Sequence, residues 1–251
     1  MICITSYSDG SSAVSSQRAV SSQRAQSSQS ARSSQSTTTI GILGAGRVGT
    51  ALARQALKAG YQVRIATTQP AADNALLVDI VTPGAVAVES SQAAASDLVV
   101  LAIPLHKYRT LNPGELFGRI VIDAMNYWAP VDGVFDDFES DSRTSSEVVE
   151  EFLPGARVVK SLNHIGYHEL EEDDKATGEP MRRALALAGD DAEAKAVVES
   201  FIDRLGYDAV DAGPLAAGRA LEPATEIFTG SHTANQLRAL IQKTRPFADA
   251  A

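Results

Sequence analysis

The sequence predicts an α/β fold, a doubly wound parallel sheet of the Rossmann NAD(P)-binding type with a small C-terminal α/β portion, and three observations carry that expectation. From Thr38 onward, short runs rich in Val, Ile and Leu alternate with helical patterns. A glycine-rich turn, Gly44-Ala45-Gly46-Arg47-Val48-Gly49, stands between the first apolar run and the first helix. The alternation then continues almost to the end of the 251 residues. Near-continuous apolar strands are the mark of a sheet covered on both faces.

The runs place strands at Thr39–Leu43, Gln62–Ala66, Ala85–Val88, Asp97–Ile103 and Ile120–Ala124. Further strands are expected near Arg157–Leu162, Arg183–Ala188 and Tyr207–Ala212. Helices fit Val48–Ala59, Ala71–Val81, Ser145–Phe152 and Ala192–Leu205. The last is the best marked: Asp190 or Asp191 suits its N-cap, Val197, Val198, Phe201, Ile202 and Leu205 form a stripe, and Gly206 suits the C-terminal cap. The domain plan is therefore a tail at 1–37, a Rossmann domain at 38–165, and a C-terminal extension at 166–251 that completes the sheet and the acceptor pocket.

The tail is a different material. SSQRA occurs at Ser15–Ala19 and again at Ser21–Ala25. Ser/Gln repeats bury too little apolar surface to offset the entropy of ordering, so disorder is expected there. Arg18, Arg24 and Arg32 against the single Asp9 also fit an organellar transit peptide, and a misassigned start codon fits equally.

Composition narrows the function classes. An apolar share of 44% supports a sizeable core. The net charge of −9, without a cluster of Lys and Arg, argues against a nucleic-acid surface and for a small-molecule partner. One cysteine, Cys3, allows neither an intrachain disulfide nor a thiolate metal cluster, which suits a cytoplasmic protein. No apolar run approaches the roughly 18 residues of a membrane span. A homodimer is compatible with all of this.

The turn at Gly44, Gly46 and Gly49 has the spacing G-x-G-x-x-G, follows a strand and opens a helix, the context that gives the pattern its meaning. Gly44 serves the tight turn, Gly46 leaves room for a pyrophosphate, and Gly49 lets helix and strand approach. Ala45, Arg47 and Val48 complete the cofactor-binding segment. Many NAD-binding domains place an acid at the end of the second strand; here Ile65-Ala66-Thr67-Thr68-Gln69-Pro70 has none. Thr67 and Thr68 offer hydroxyls in its place, which favours NADP, while ordinary turn chemistry before Pro70 is their other explanation.

Ligands of such sheets bind beyond the carboxyl ends of the strands. Ile103, Pro104 and His106 follow the fourth strand, and Met125 and Asn126 follow the fifth, where Asn126 suits a nicotinamide carboxamide. Asn163 and His164 follow the sixth and are the candidate catalytic pair. His164 and His168 are four apart, but Gly166 interrupts the helix a metal pair would need, so no metal site is assigned. The acidic run Glu169–Asp174 reads as a solvated loop. Hydride transfer to or from a nicotinamide needs positioning more than a nucleophile, so no triad is required.

With the glycine turn, Ala102-Ile103-Pro104, Val158-Val159-Lys160-Ser161-Leu162-Asn163, Ala188-Gly189-Asp190-Asp191 and Asp211-Ala212-Gly213-Pro214-Leu215, the chain resembles the coenzyme F-420-dependent NADP oxidoreductase family over most of Thr38 to Pro223. The resemblance implies hydride exchange between NADP and a deazaflavin, coenzyme F-420 or a similar ring. Related ferric reductase domains use a flavin. It carries the three glycines to the pyrophosphate, Thr67 and Thr68 to the 2′-phosphate, and Asn163 toward the small-molecule redox acceptor. Family members preferring NADP often have Ser-Arg where this chain has Thr67-Thr68. Lys160 and Asn163 are three apart at a strand end, unlike the helical pair of hydroxyacid dehydrogenases, so Lys160 receives no proton-transfer role. A non-catalytic NADP-binding or redox-sensing module, or a quinone or ferric reductase, is the alternative.

Overall fold

The computed structural model describes residues 38–139 and 142–244, so the expectation for the 1–37 tail lies outside the described residues. Eight strands form one sheet in the order β3-β2-β1-β4-β5-β6-β7-β8. They are β1 (Thr39–Leu43), β2 (Gln62–Ala66), β3 (Val86–Ala87), β4 (Leu98–Leu101), β5 (Ile120–Asp123), β6 (Arg157–Ser161), β7 (Ala184–Gly189) and β8 (Asp208–Gly213). The first six run parallel to one another.

Helices α1 (Arg47–Lys58) and α2 (Ala71–Val81) follow β1 and β2. The short α3 (Ser90–Ala94), α4 (Pro113–Leu116), α5 (Ala129–Asp132) and α6 (Asp136–Glu139) come next, then α7 (Ser145–Phe152), the one-turn α8 (Glu169–Glu172), α9 (Ala192–Arg204) and α10 (Ala234–Thr244). Helix α9 begins as its sequence indicates: the Asp191 carboxylate accepts from Ala194 N at 2.8 Å. The Gly206 that follows α9 has φ of +102°, a conformation for which glycine is suited.

Burial explains the near-continuous apolar strands. One face of the sheet packs Ile40, Ile42, Ile65, Val100 and Ile122 against Leu52, Phe201 and Ile202 of α1 and α9. The other packs Val99, Leu101, Val121 and Val158 against Val149 of α7 and neighbours. A third cluster under the C-terminal strands joins Ala186, Val210 and Leu221 to Leu237 and Ile241 of α10.

The α/β fold is the one the sequence predicts, with two departures in detail. The sheet is not wholly parallel, because β7 pairs antiparallel with β6, while β8 is parallel to β7. Residues 162–183 between β6 and β7 hold only the single turn of α8 and no crossover helix, so the chain re-enters the sheet reversed. The acidic run Glu169–Asp174 is not a solvated loop. Arg183, almost wholly buried, donates to Glu169 and Asp173 at 2.8 Å each. Arg54 binds both oxygens of Glu171 at 2.5 and 2.9 Å, and Lys58 reaches Asp174 at 2.8 Å. The cations lie too far away in sequence for any local pattern to announce them.

Candidate functional site

The carboxyl ends of β1, β2 and β4 open on a cleft of about 660 Å³, lined on one side by Gly44, Ala45 and Gly46 and on the other by Ile103 and Pro104. Each glycine of the turn has its own reason. Gly44 has φ of +120°, and a Cβ on it would lie 2.4 Å from the Ala102 carbonyl oxygen. A Cβ on Gly49 would lie 2.0 Å from the Gly44 carbonyl oxygen. A Cβ on Gly46 would meet nothing within 4 Å, since that position faces open cleft. Gly46 is also the N-cap of α1, and no side chain caps the helix. Donors at the start of a twelve-residue helix, beside open space at the one glycine of the turn that close packing does not require, fit a pyrophosphate.

The β2 end supplies Thr67 and Thr68, which both line the cleft, yet they differ. The Thr67 hydroxyl accepts from Asn74 Nδ2 at 2.7 Å and from Gln69 N at 3.1 Å, so it serves the turn. Thr68 is exposed to the cleft. Sequence reasoning missed Glu89 and Lys107 in the same wall. Glu89 stands just after the third strand, where the strand-end rule already directs attention. His106 does not line this cleft; it stacks on Phe135 with ring centroids 5.6 Å apart and planes 8° from parallel. The 3₁₀ turn over Leu105–Thr110 swings His106 aside and brings Lys107 to the cleft instead.

On the other side of the glycine turn a second cleft, of about 320 Å³, joins Val48 to Asn126, Asn163, His164, Tyr167 and Phe228. Arg47 leans toward it, its guanidinium carbon 5.7 Å from the Tyr167 ring centroid. Beneath lies a buried polar network. Asp123 Oδ1 accepts from Met125 N at 2.9 Å, and Lys160 Nζ donates to Met125 O at 2.5 Å and to Asp123 at 3.4 Å. Met125 is thus a buried support whose backbone groups are both engaged, not the cleft residue its strand-end position suggested.

The next residue, Asn126, is clasped by Asn163. Asn126 Nδ2 donates to Asn163 O at 2.7 Å, and Asn163 Nδ2 donates to Asn126 Oδ1 at 2.9 Å and to Leu221 O at 2.6 Å. Ala186 N donates to His164 Nε2 at 3.0 Å, so the ring proton sits on Nδ1, which faces Asn163 Oδ1 at 3.2 Å. Burial, reinforced by the nearby charges of Arg183, Lys160 and His232, lowers the His164 pKa to about 3. Asn163 and His164 therefore line the second cleft with their polar atoms already paired. Asn163 grips Asn126 directly, and His164 faces Asn163 in turn. Leu162, just before them, is held at φ of +62°, a strained conformation for a branched side chain. The reversed β7 matters here: its start brings Ala186 and Arg183 to the end of β6. Among the described residues no group of three His, Cys, Asp or Glu is placed to hold a metal ion.

Residues 39–127, from β1 to the loop holding Asn126, match the model of the family described as NADP oxidoreductase, coenzyme F420-dependent. Over those residues, about a third of its length, the chain is similar to that family. The match and the neighbours that follow support an NADP-dependent oxidoreductase. A provisionally named F420-dependent NADP reductase from Arthrobacter sp. FB24 is 25% identical, with a TM-score of 0.62 over 73% of this chain and 88% of its own. The hypothetical protein SMa0349 of Sinorhizobium meliloti is 31% identical, with a TM-score of 0.68 over 78% of this chain and 95% of its own. The rat metalloreductase STEAP3 is 24% identical over 185 residues, and the matched part is 73% of this chain but 35% of that protein. Among the described residues no helix is long and apolar enough to cross a membrane.

Proposed function

We propose that the protein exchanges a hydride between NADP(H) and a flat redox ring, a deazaflavin of the coenzyme F-420 kind or a flavin. The pyrophosphate lies on Gly44–Gly49 and the adenosine half in the larger cleft, with the 2′-phosphate near Thr68. The observation that carries the reading is the pair of clefts flanking the start of α1, one with the anion-binding turn and one with a clasped asparagine. In this reading residues 38–165 hold the cofactor and 166–251 finish the acceptor pocket, through Tyr167, Arg183 and Phe228.

The nicotinamide supplies the hydride when NADPH is bound. The chain supplies position. The clasp leaves one N–H and one lone pair of Asn126 for a carboxamide, enough to fix the ring's rotation. Tyr167 and Phe228 give the second cleft aromatic walls suited to another flat ring. Buried supports, including neutral His164, keep the pocket rigid, so that orientation does the catalytic work.

The experiment is NADPH oxidation with deazaflavin, flavin and quinone acceptors in parallel. Turnover with the deazaflavin or flavin supports the reading. Binding of NADPH without turnover on any acceptor would replace it with a cofactor-binding module. The likeness to a metalloreductase supports a second version, in which a reduced flavin passes its electrons to a ferric chelate; a ferric chelate with added flavin tests it.

A further inference from the structure

The larger cleft contains a carboxylate where a 2′-phosphate would come to rest. Glu89 follows β3, and its Oε1 accepts from Ala71 N, the first residue of α2, at 2.8 Å. Pro70 is the N-cap of α2 and has neither a capping side chain nor an N–H, so the start of this helix relies on Glu89. Thr67, Thr68, Gln69 and Pro70 line the same stretch of wall as Glu89. That stretch, the end of the second strand, is where a Rossmann domain meets the 2′-position of the adenosine ribose. Asp73 adds a second acid in the first turn of α2. Among the described residues Lys107 is the one basic side chain lining the cleft, and it stands on the 3₁₀ turn after β4, with β1 lying between β4 and β2 in the sheet.

An uncapped helix start beside the ribose would be a good seat for a phosphate. Here an anion of the chain's own already holds its first donor. A 2′-phosphate arriving at Thr68 meets a like charge, whereas a 2′-hydroxyl meets an acceptor. We infer that Glu89 is the specificity-determining residue of the adenosine site: from the third strand it supplies the acid that the second strand lacks, and so limits the advantage of NADPH over NADH. This rests on the dinucleotide site of the reading above, and adds that NADH is bound nearly as well.

Dissociation constants of the full chain for NADPH and NADH, from nicotinamide fluorescence, test it. The parent is expected to bind the two within about tenfold of each other. Glu89→Gln keeps an oxygen for Ala71 N and removes the charge, so NADPH should tighten about fivefold while NADH stays or weakens. Glu89→Lys should move the ratio further the same way. A ratio unmoved in both variants, with melting temperatures equal to the parent's, would overturn the role of Glu89 and leave the dinucleotide site standing. A parent that bound neither nucleotide would overturn both.

Discussion

The glycine turn and the second cleft are built in opposite ways. The glycine turn at the edge of the larger cleft is made from neighbours in sequence: a strand, a turn and a helix within residues 39–58. The second cleft is assembled from the ends of β5 and β6, the start of β7 and the segment before α10, with Asn126 and Asn163 clasped across 37 residues and Asn163 reaching Leu221 across 58. A local site shows in the sequence as a pattern. An assembled one shows only as residues awaiting partners.

The sharpest way to break the comparison is within the glycine turn. Gly49→Ala should cost about 3 kcal/mol or more, because its Cβ would strike the Gly44 carbonyl. Gly46→Val should leave the melting temperature nearly unchanged and weaken NADPH binding by about a hundredfold or more, since that side chain enters only the space for the pyrophosphate. Equal effects of the two substitutions on stability would mean the turn has no open face.

The acceptor side should answer to acid instead. His164 is neutral in the fold, with its pKa lowered from 6.5 to about 3, so the unfolded chain binds the extra proton. Its contribution is complete above about pH 6.5 and is lost as pH falls toward 3, amounting to about 2 kcal/mol between pH 7 and 5. Denaturant titrations at both values should show it, and His164→Gln should flatten that part of the profile. A parent equally stable at both would contradict the buried pairing.

A smaller effect separates support from contact. Asn163→Ala should lower single-turnover hydride transfer about tenfold by loosening Asn126, with NADPH affinity changed by less than about threefold. An unchanged rate per folded molecule would leave Asn163 a purely structural residue. The smallest contrast is between the threonines: Thr67→Val should destabilise by about 1 kcal/mol through the Asn74 and Gln69 bonds. Thr68→Val should weaken NADPH about threefold with stability intact. Interchanged outcomes would reverse their roles.

What was legible follows the same division. β1, β2, α2 and α7 fall on the expected residues, because periodicity and turn chemistry are local signals. α10 went unread although it carries its own mark: Thr233 and Gln236 face each other at 2.9 Å at its start, ahead of the buried Leu237, Leu240 and Ile241. The reversal of β7 was illegible, since strand direction depends on the length and content of the connection and not on the strand's residues. At the site, Ile103 and Pro104 stand where the strand-end rule puts them. That rule fixes a residue's place along the chain but not its side chain's aim, and so it could not distinguish His106 from Lys107.

The far end of α1 has a history written into it. Arg54 and Lys58 are held by Glu171 and Asp174, Gln55 donates to the Leu205 carbonyl, and the Ala59 carbonyl accepts from Arg204. During synthesis the glycine turn and its helix leave the ribosome well over a hundred residues before those partners do. A nascent chain stopped near residue 165 would thus expose the helix face that later partners cover. The cofactor turn is made early and finished late, and premature termination in the last third should produce aggregation, not a smaller working domain.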